Sequence, residues 1–146
     1  MADSWQDLNQ EAIDLMTKGD IDRAVASAEK ALAAARKEHG EIHGNIAITL
    51  NNLGEMYRQQ AEYERAEKVM LESIDMAEKV HGKDCRDVAD TLVNLAEMYM
   101  EQQNLQEAEA RMEQAVAVYE KDFAENREIL PQLYNTFAAV LSGQGK

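Results

Sequence analysis

The chain has 146 residues and a formal net charge of -13, from 28 acidic and 15 basic side chains. Its length suits one compact domain, or a short array of repeats, with a core large enough to fold without disulfides or metals. The negative charge argues against nucleic acid and anionic membranes as partners, because both would repel it.

The first segment along the chain is MADSWQDLNQ, which has neither the basic nor the apolar region of a secretion signal. No later stretch approaches the roughly 18 uninterrupted apolar residues that a membrane span requires. The one cysteine, Cys85, allows no internal disulfide. We therefore expect a cytoplasmic protein that has no membrane partner.

Along the rest of the chain, apolar residues recur at spacings of three and four, and polar or Gly-containing turns interrupt them, a pattern that predicts helices. The chain contains only one Pro and seven Gly, which favours helices joined by short turns. The predicted helices span about 4–18, 21–37, 44–59, 62–80, 86–101, 104–121 and 127–142. Gly40 and Gly82 follow two of these helices, and we expect each to end its helix in a left-handed conformation.

The helices form a repeat of 42 residues, because TLNNLGEMYRQQAEYERAE begins at Thr49 and TLVNLAEMYMEQQNLQEAE begins at Thr91. Such self-similarity indicates stacked helix pairs that share a core. We predict a single domain over residues 1–146. Its parts are repeats at about 4–37, 44–80 and 86–121 and a terminal helix at about 127–142.

The repeated motif resembles the tetratricopeptide repeat, whose first helix carries Leu-Gly-x-x-Tyr and whose second helix carries a small Ala. Residues 53–57 read LGEMY with Ala66 following, and residues 95–99 read LAEMY with Ala108 following. The 42-residue period and the sequence LNNLG at 50–54 are similar to the longer repeats of kinesin light chains. The resemblance implies an all-α, right-handed superhelix, which is an α-α solenoid of three helix pairs plus a C-terminal helix.

The same resemblance implies a concave groove, lined mainly by the first helix of each pair, that binds a peptide or a partner segment. The residues that match the inward-facing positions of the family, or lie beside them, are called the groove set here. They are Asn9, Asn51, Asn52, Glu55, Arg58, Asn94, Glu97, Met100 and Asn135. We expect a non-enzymatic protein–protein interaction module that acts through this set.

Five of the nine groove residues are Asn, a residue type that weakens the interior of a helix. An Asn amide offers both a donor and an acceptor, so it can hold the backbone of an extended peptide whatever the peptide's side chains are. The alternative is that these amides bond a neighbouring helix or water. Spacing alone leaves both interpretations open.

The charges on the first helices indicate what kind of partner fits. The acidic residues outweigh the basic ones, since Lys18 and Arg58 stand against Asp14, Glu55, Glu97 and Glu101. Some members of the family that the chain resembles hold a C-terminal carboxylate with Lys and Arg on their first helices, and the acidic excess here predicts that this clamp is absent. We therefore expect a neutral to basic protein or peptide partner. The alternative is that these carboxylates are simply solvated surface.

Two pairs of candidate metal ligands occur four residues apart, His39 with His43 and His81 with Cys85. On one continuous helix this spacing would aim both ligands the same way. Both pairs straddle a Gly-containing linker, however, and no further ligand is evident, so we expect the histidines to pack turns. No phosphate-binding loop or nucleophile–base set occurs either. The sequence predicts no metal, no cofactor and no catalytic residue.

The last predicted helix has a wide apolar face. Its members are Leu130, Leu133, Tyr134, Phe137, Val140 and Leu141. Covering the preceding pair uses only part of that face. A second copy could cover the rest, in an isologous homodimer or in a superhelix continued across chains, or the face could be the artificial edge of a truncated chain. The remaining alternative is a monomer in which these residues stay partly exposed. Two other functions stay open: a self-associating scaffold, and a regulatory segment of a larger enzyme or transcription factor.

Overall fold

The computed structural model describes residues 4–146, so residues 1–3 of the predicted domain lie outside the described residues. Within residues 4–146 the chain forms seven α-helices and no β-strand. They are α1 (Trp5–Thr17), α2 (Ile21–His39), α3 (Gly44–Gln59), α4 (Tyr63–His81), α5 (Arg86–Glu101), α6 (Leu105–Lys121) and α7 (Leu130–Gly143). Every boundary lies within three residues of the predicted one.

The helices divide between two compact units, Met1–Lys83 and Asp84–Lys146. In the first unit, α1 packs on α2, α3 packs on α4, and α2 also contacts α3. In the second unit, α6 packs on both α5 and α7. The contacts α1–α2, α3–α4 and α5–α6 correspond to the predicted helix pairs. A single domain over both units stays a prediction. Across the described part of the chain, no helix is both long and apolar enough to cross a membrane.

Small residues bring the two helices of a pair close together in the first unit. Ala24 of α2 and Ala66 of α4 are completely buried, so no side chain separates the helix axes at these points. Opposite Ala66, Gly54 of α3 lies against Met70 of α4. The first unit also has an apolar cluster around Ile46, which is buried at the start of α3.

The second unit has a core formed by all three of its helices. Its buried members are Ala89, Ala96, Met112, Val116, Tyr119, Leu130 and Leu133. The buried alanine of the pattern is Ala108 here. Because α7 contributes Leu130 and Leu133, it covers the preceding pair as the sequence predicts.

The turns within the pairs share one backbone feature. Gly19, Ala61 and Gln103 all have a positive φ, of 86°, 61° and 62°, and they are spaced by the repeat length. A left-handed residue therefore closes every first helix, although only one of the three is Gly.

The glycines after the second helices differ from the expectation. Gly40 has φ 86° and ψ -167°, and Gly82 has φ 92° and ψ 169°. The predicted positive φ is present, but the left-handed helical conformation is not. The backbone is instead extended with positive φ, a region that essentially only Gly adopts.

The start of α7 lies three residues after the predicted one. Asn126, which is 6% exposed, donates from Nδ2 to the carbonyl oxygens of Tyr119 and Asp122 at 3.0 and 3.1 Å. These bonds hold the preceding residues in tight turns at the end of α6. The helix begins only at Leu130, with Pro131 in its first turn, where a missing N–H costs nothing.

Candidate functional site

Five members of the groove set lie in the first unit, Asn9 on α1 and the other four on α3. They come from two first helices that contact each other directly. Trp5 strengthens this contact, because its Nε1 donates to the Oγ1 of Thr49 on α3 at 2.7 Å. The two helices thus present their polar faces side by side.

Asn9 and Asn52 are joined across these two helices. The Nδ2 of Asn52 donates to the Oδ1 of Asn9 at 3.2 Å, although the residues are 43 positions apart in the chain. Both side chains are half-buried. This is the bond to a neighbouring helix that the alternative interpretation of the Asn residues anticipates. It occupies only one group of each amide.

Glu55 and Arg58 form an ion pair one turn apart on α3. Their side chains are 20% and 17% exposed, so solvent screens the pair only in part. The second carboxylate oxygen of Glu55, Oε2, is buried and has no hydrogen-bond partner among the described residues. An unmet acceptor of this kind costs on the order of 1–3 kcal/mol, which marks Glu55 as a place where a donor would be favourable.

The second unit carries the remaining members of the groove set. Asn94, Glu97 and Met100 lie on α5, where all three are half-buried, and Asn135 lies exposed on α7. Asn94 and Glu97 repeat Asn52 and Glu55 one repeat length later. In both units, therefore, half-buried polar side chains of a first helix keep part of their surface in contact with solvent.

The histidines near these helices pack the linkers, as expected for His39. The rings of His39 and His43 stack with centroids 4.1 Å apart and an interplanar angle of 13°. The Nδ1 of His43 accepts from the backbone N of Asn45 at 3.0 Å and caps α3. No three His, Cys, Asp or Glu side chains in residues 4–146 are arranged to hold a metal ion.

The helix pairs and their repeat length decide the family. A model of the tetratricopeptide repeat matches residues 8–79 and 87–146. The chain belongs to the tetratricopeptide repeat family. Among curated proteins, none matches the chain significantly.

Solved structures share this tetratricopeptide fold. BtubC (BKLC) from P. vanneervenii has a TM-score of 0.87 and 24% identity, and the match covers 97% of this chain and 56% of that one. Two crystal structures of nearly identical TPR-like repeats, attributed to a kinesin light chain of Podosopora anserina, have TM-scores of 0.82 and 0.83 at 18% identity. These two matches cover 96% of this chain and 66% of theirs.

The chain thus spans 56–66% of the length of these relatives. At such identities the likeness concerns the fold. The predicted all-α tetratricopeptide solenoid is confirmed, and so is the predicted similarity to repeats of the kinesin light chain type.

The signature tyrosine of the tetratricopeptide motif ties α3 to the preceding pair. The hydroxyl of Tyr57 donates to the Oε1 of Glu29 on α2 at 2.9 Å. Burial raises the pKa of Tyr57, and the bond to Glu29 raises it further, while the guanidinium of Arg65, 4.8 Å above the ring, acts to lower it. The tyrosine therefore stays protonated and holds α3 in place behind the groove residues.

One residue of the α3 surface does not belong to the predicted groove set. Ile48 lies one turn before Asn52, on the same face of the helix, and is 41% exposed. Its signal in the sequence is an apolar residue outside the buried stripe that contains Leu50 and Leu53. The equivalent residue of α5 is Asp90. Of these two equivalent positions, only the one on α3 therefore carries an exposed apolar side chain.

Proposed function

We propose that the chain is a protein–protein interaction module that holds an extended peptide segment on the first helices of its tetratricopeptide pairs. Repeats of this family generally mediate protein–protein interactions and are generally not enzymes, so the proposal concerns where and how this chain binds. The groove set provides the contacts. In the cytoplasm, where we place the protein, Cys85 would stay reduced.

The pairing of Asn9 with Asn52 carries the proposal. The bond uses the Oδ1 of Asn9 and the Nδ2 of Asn52. The Nδ2 of Asn9 and the Oδ1 of Asn52 are then a donor and an acceptor held next to each other on two helices. A peptide backbone presents the complementary pair, a C=O and an N–H, in every residue. Because the two amides fix each other, little side-chain entropy is lost when a peptide binds.

The charges of α3 favour a basic or neutral segment. Arg58 is already paired with Glu55, whose buried Oε2 gains a partner if the side chain turns towards a donor from the peptide. The net charge of -13 also attracts basic partners over distance. In the second unit, Glu97 and Glu101 add charge of the same sign on α5. We therefore propose a partner segment that is neutral to basic.

Ile48 adds an apolar contact to this surface. It lies seven residues before Glu55, which is about 10 Å along a helix. An extended peptide covers that distance with about three residues. A segment with an apolar side chain about three positions from a Lys or Arg would therefore contact Ile48 and Glu55 together.

An array of short synthetic peptides tests the proposal. It contains three sets matched in length and apolar content, one rich in Lys and Arg, one neutral, and one rich in Asp and Glu. We expect the best binders in the basic and neutral sets, and weaker binding of basic peptides as salt is added. The best binder is then titrated against variants of the chain by fluorescence anisotropy.

Asn9→Ala and Asn52→Ala are the decisive variants. Loss of one backbone-directed hydrogen bond, worth about 1 kcal/mol, weakens binding about fivefold. Gln106→Ala on α6 is the matched control, because it shortens an exposed amide side chain outside the groove set. Equal affinity of the control and both Asn variants, at unchanged helicity, would move the binding site elsewhere.

A further inference from the structure

The start of α3 depends on a neutral histidine. A backbone N–H can only donate, so the 3.0 Å bond from the N of Asn45 makes the Nδ1 of His43 an acceptor. The ring that caps α3 is therefore neutral. Once protonated, it carries donors on both nitrogens and can no longer cap the helix. The positive end of the helix dipole also disfavours a positive charge at this position.

The stacked ring of His39 has a similar requirement. The amide nitrogen of Asn45 donates to the Nε2 of His39 at 3.1 Å, and a protonated Nε2 could not accept that bond. Protonation of both rings would also place like charges against each other, because the centroids of His39 and His43 are 4.1 Å apart. The stack and its two bonds to Asn45 therefore all weaken when protons are added.

The groups around the stack act in opposite directions. The Oε2 of Glu38 on α2 lies 3.7 Å from the Nε2 of His39, so this carboxylate favours a proton on that ring. His81 ends α4 nearby, since a Cβ added to Gly44 would lie 3.3 Å from its Nε2, and its protonation adds positive charge beside the start of α3. From α1 comes the uncharged Trp5, whose ring meets that of His39 edge-on at 6.4 Å. Of these three neighbours, only Glu38 compensates for added protons.

Hydrogen bonds connect the cap of α3 to the contact between α1 and α3. The carbonyl oxygen of Asn45 accepts from the Oγ1 of Thr49 at 2.8 Å, one turn further along α3. The same Oγ1 accepts from the Nε1 of Trp5 on α1. Loosening the first turn of α3 therefore weakens the contact on which the bond between Asn9 and Asn52 depends.

We propose that His39 and His43 form a pH switch that releases the start of α3 in acid and thereby weakens peptide binding to the groove set. Because the neutral rings make bonds that the open chain lacks, proton binding favours the open state. The stabilising contribution is complete where imidazoles are neutral and is lost as pH falls from about 8 to about 5, the range in which they titrate. The effect on binding rests on the proposed function, whereas the release of α3 does not.

Trp5 reports directly on the release of α3. It is the one tryptophan of the chain and bonds Thr49 of that helix, so its emission shifts to longer wavelength when the contact opens to water. We expect this red shift as pH falls from about 8 to about 5. In urea titrations over the same range, the folding equilibrium constant of the native chain should fall about fivefold relative to that of His43→Asn, the typical effect of one lost N-cap.

His43→Asn is the decisive variant, because Asn is among the best N-cap residues and does not take up a proton. It should abolish the red shift. His81→Asn is the matched control, since it removes the same kind of side chain from the end of α4 and leaves the cap in place, so it should retain the shift. If His43→Asn lowers helicity at neutral pH, His43→Ser replaces it as the capping variant. A red shift of equal size in the capping variant, or none in the native chain, would overturn the proposal.

Fluorescence anisotropy at the two ends of the pH series tests the effect on binding. The probe is the best binder among terminally blocked peptides without titratable side chains, because its own charge stays constant. If acid opens the first turn of α3 in half of the molecules, the apparent affinity falls about twofold, and His43→Asn should bind equally at both ends. An unchanged affinity of the native chain would overturn the link to the groove. The emission and urea measurements use no peptide, so they test the release of α3 independently of Asn9→Ala and Asn52→Ala, which test the binding site itself.

Discussion

Met70 lies so close to Gly54 that a Cβ added to the glycine would be 2.5 Å from the Cγ of Met70. The contact joins α3 to α4 at the point where Ala66 is completely buried. Glycine therefore allows the two helices to approach, although it is a poor residue for a helix interior.

Gly54→Ala should lower the free energy of unfolding by about 1 kcal/mol. The gain in helix propensity is about 1 kcal/mol, but displacing the packed Met70 side chain costs about 1–3 kcal/mol. Urea unfolding followed by circular dichroism measures the difference. In a Met70→Ala background the clash is absent, so the same substitution should stabilise the protein. A loss of equal size in both backgrounds would contradict this packing argument.

The turns within the pairs provide a second prediction. Ala61 has a left-handed φ of 61°, which costs an L-residue about 1–2 kcal/mol and Gly almost nothing. Ala61→Gly should therefore raise the free energy of unfolding by up to about 1 kcal/mol. Gly19→Ala should lower it by a similar amount, through the backbone alone, because a Cβ there would meet nothing within 4 Å.

Ala33→Gly is the control for this pair of substitutions. Ala33 lies exposed within α2, where the same change should cost about 1 kcal/mol through helix propensity. If thermal unfolding shows that Ala33→Gly lowers stability and Ala61→Gly raises it, the difference is due to the left-handed φ at position 61. A destabilising Ala61→Gly would argue against the left-handed turn.

Asp90 makes the stability of the second unit depend on pH. Burial raises the pKa of Asp90, and the nearby Asp87 raises it further, while Arg86 acts to lower it. The folded-state pKa thus lies above the unfolded one, so the stabilising contribution is complete below the unfolded pKa and is lost as pH rises through the folded pKa. Ionised Asp90 is accordingly unfavourable at neutral pH.

Asp90→Asn should stabilise the protein more at neutral pH than in acid. The amide oxygen still accepts from the hydroxyl of Tyr119, which donates to Asp90 in the native chain, but it cannot ionise. Urea midpoints of the two proteins across an acid-to-neutral series give the comparison. Glu72→Gln on α4, which removes an exposed carboxylate, corrects for the lost charge. A stability difference that does not change with pH would count against a raised pKa.

The helix boundaries were predictable from the sequence, as α3 and α5 illustrate. Both begin and end at the predicted residues, because periodicity, turn residues and caps act over a few neighbouring positions. The start of α7 was predicted three residues early. The buried amide of Asn126 delays it by bonding the carbonyl of Tyr119, a contact that local pattern does not encode.

The candidate site was predictable only as a set of positions. The repeat period put Asn9 and Asn52 on equivalent helices. Whether the two amides bond each other depends on how closely those helices pack, because the two residues are 43 positions apart in the chain. The same holds for Ile48, whose exposure follows from what packs around α3 and not from its own neighbours.

The amino-acid sequence alone was sufficient for the all-α repeat and for the chemistry that each groove position offers, since both depend on local hydrogen bonding and on side-chain type. Tertiary packing decided which of those groups already bond other side chains of the protein, as Glu55 does in its ion pair with Arg58. It also decided that Ala138 is exposed on α7 while the equivalent Ala96 is buried on α5. Equivalent residues differ here because burial depends on whether a second helix lies against them, and only the packed structure contains that information.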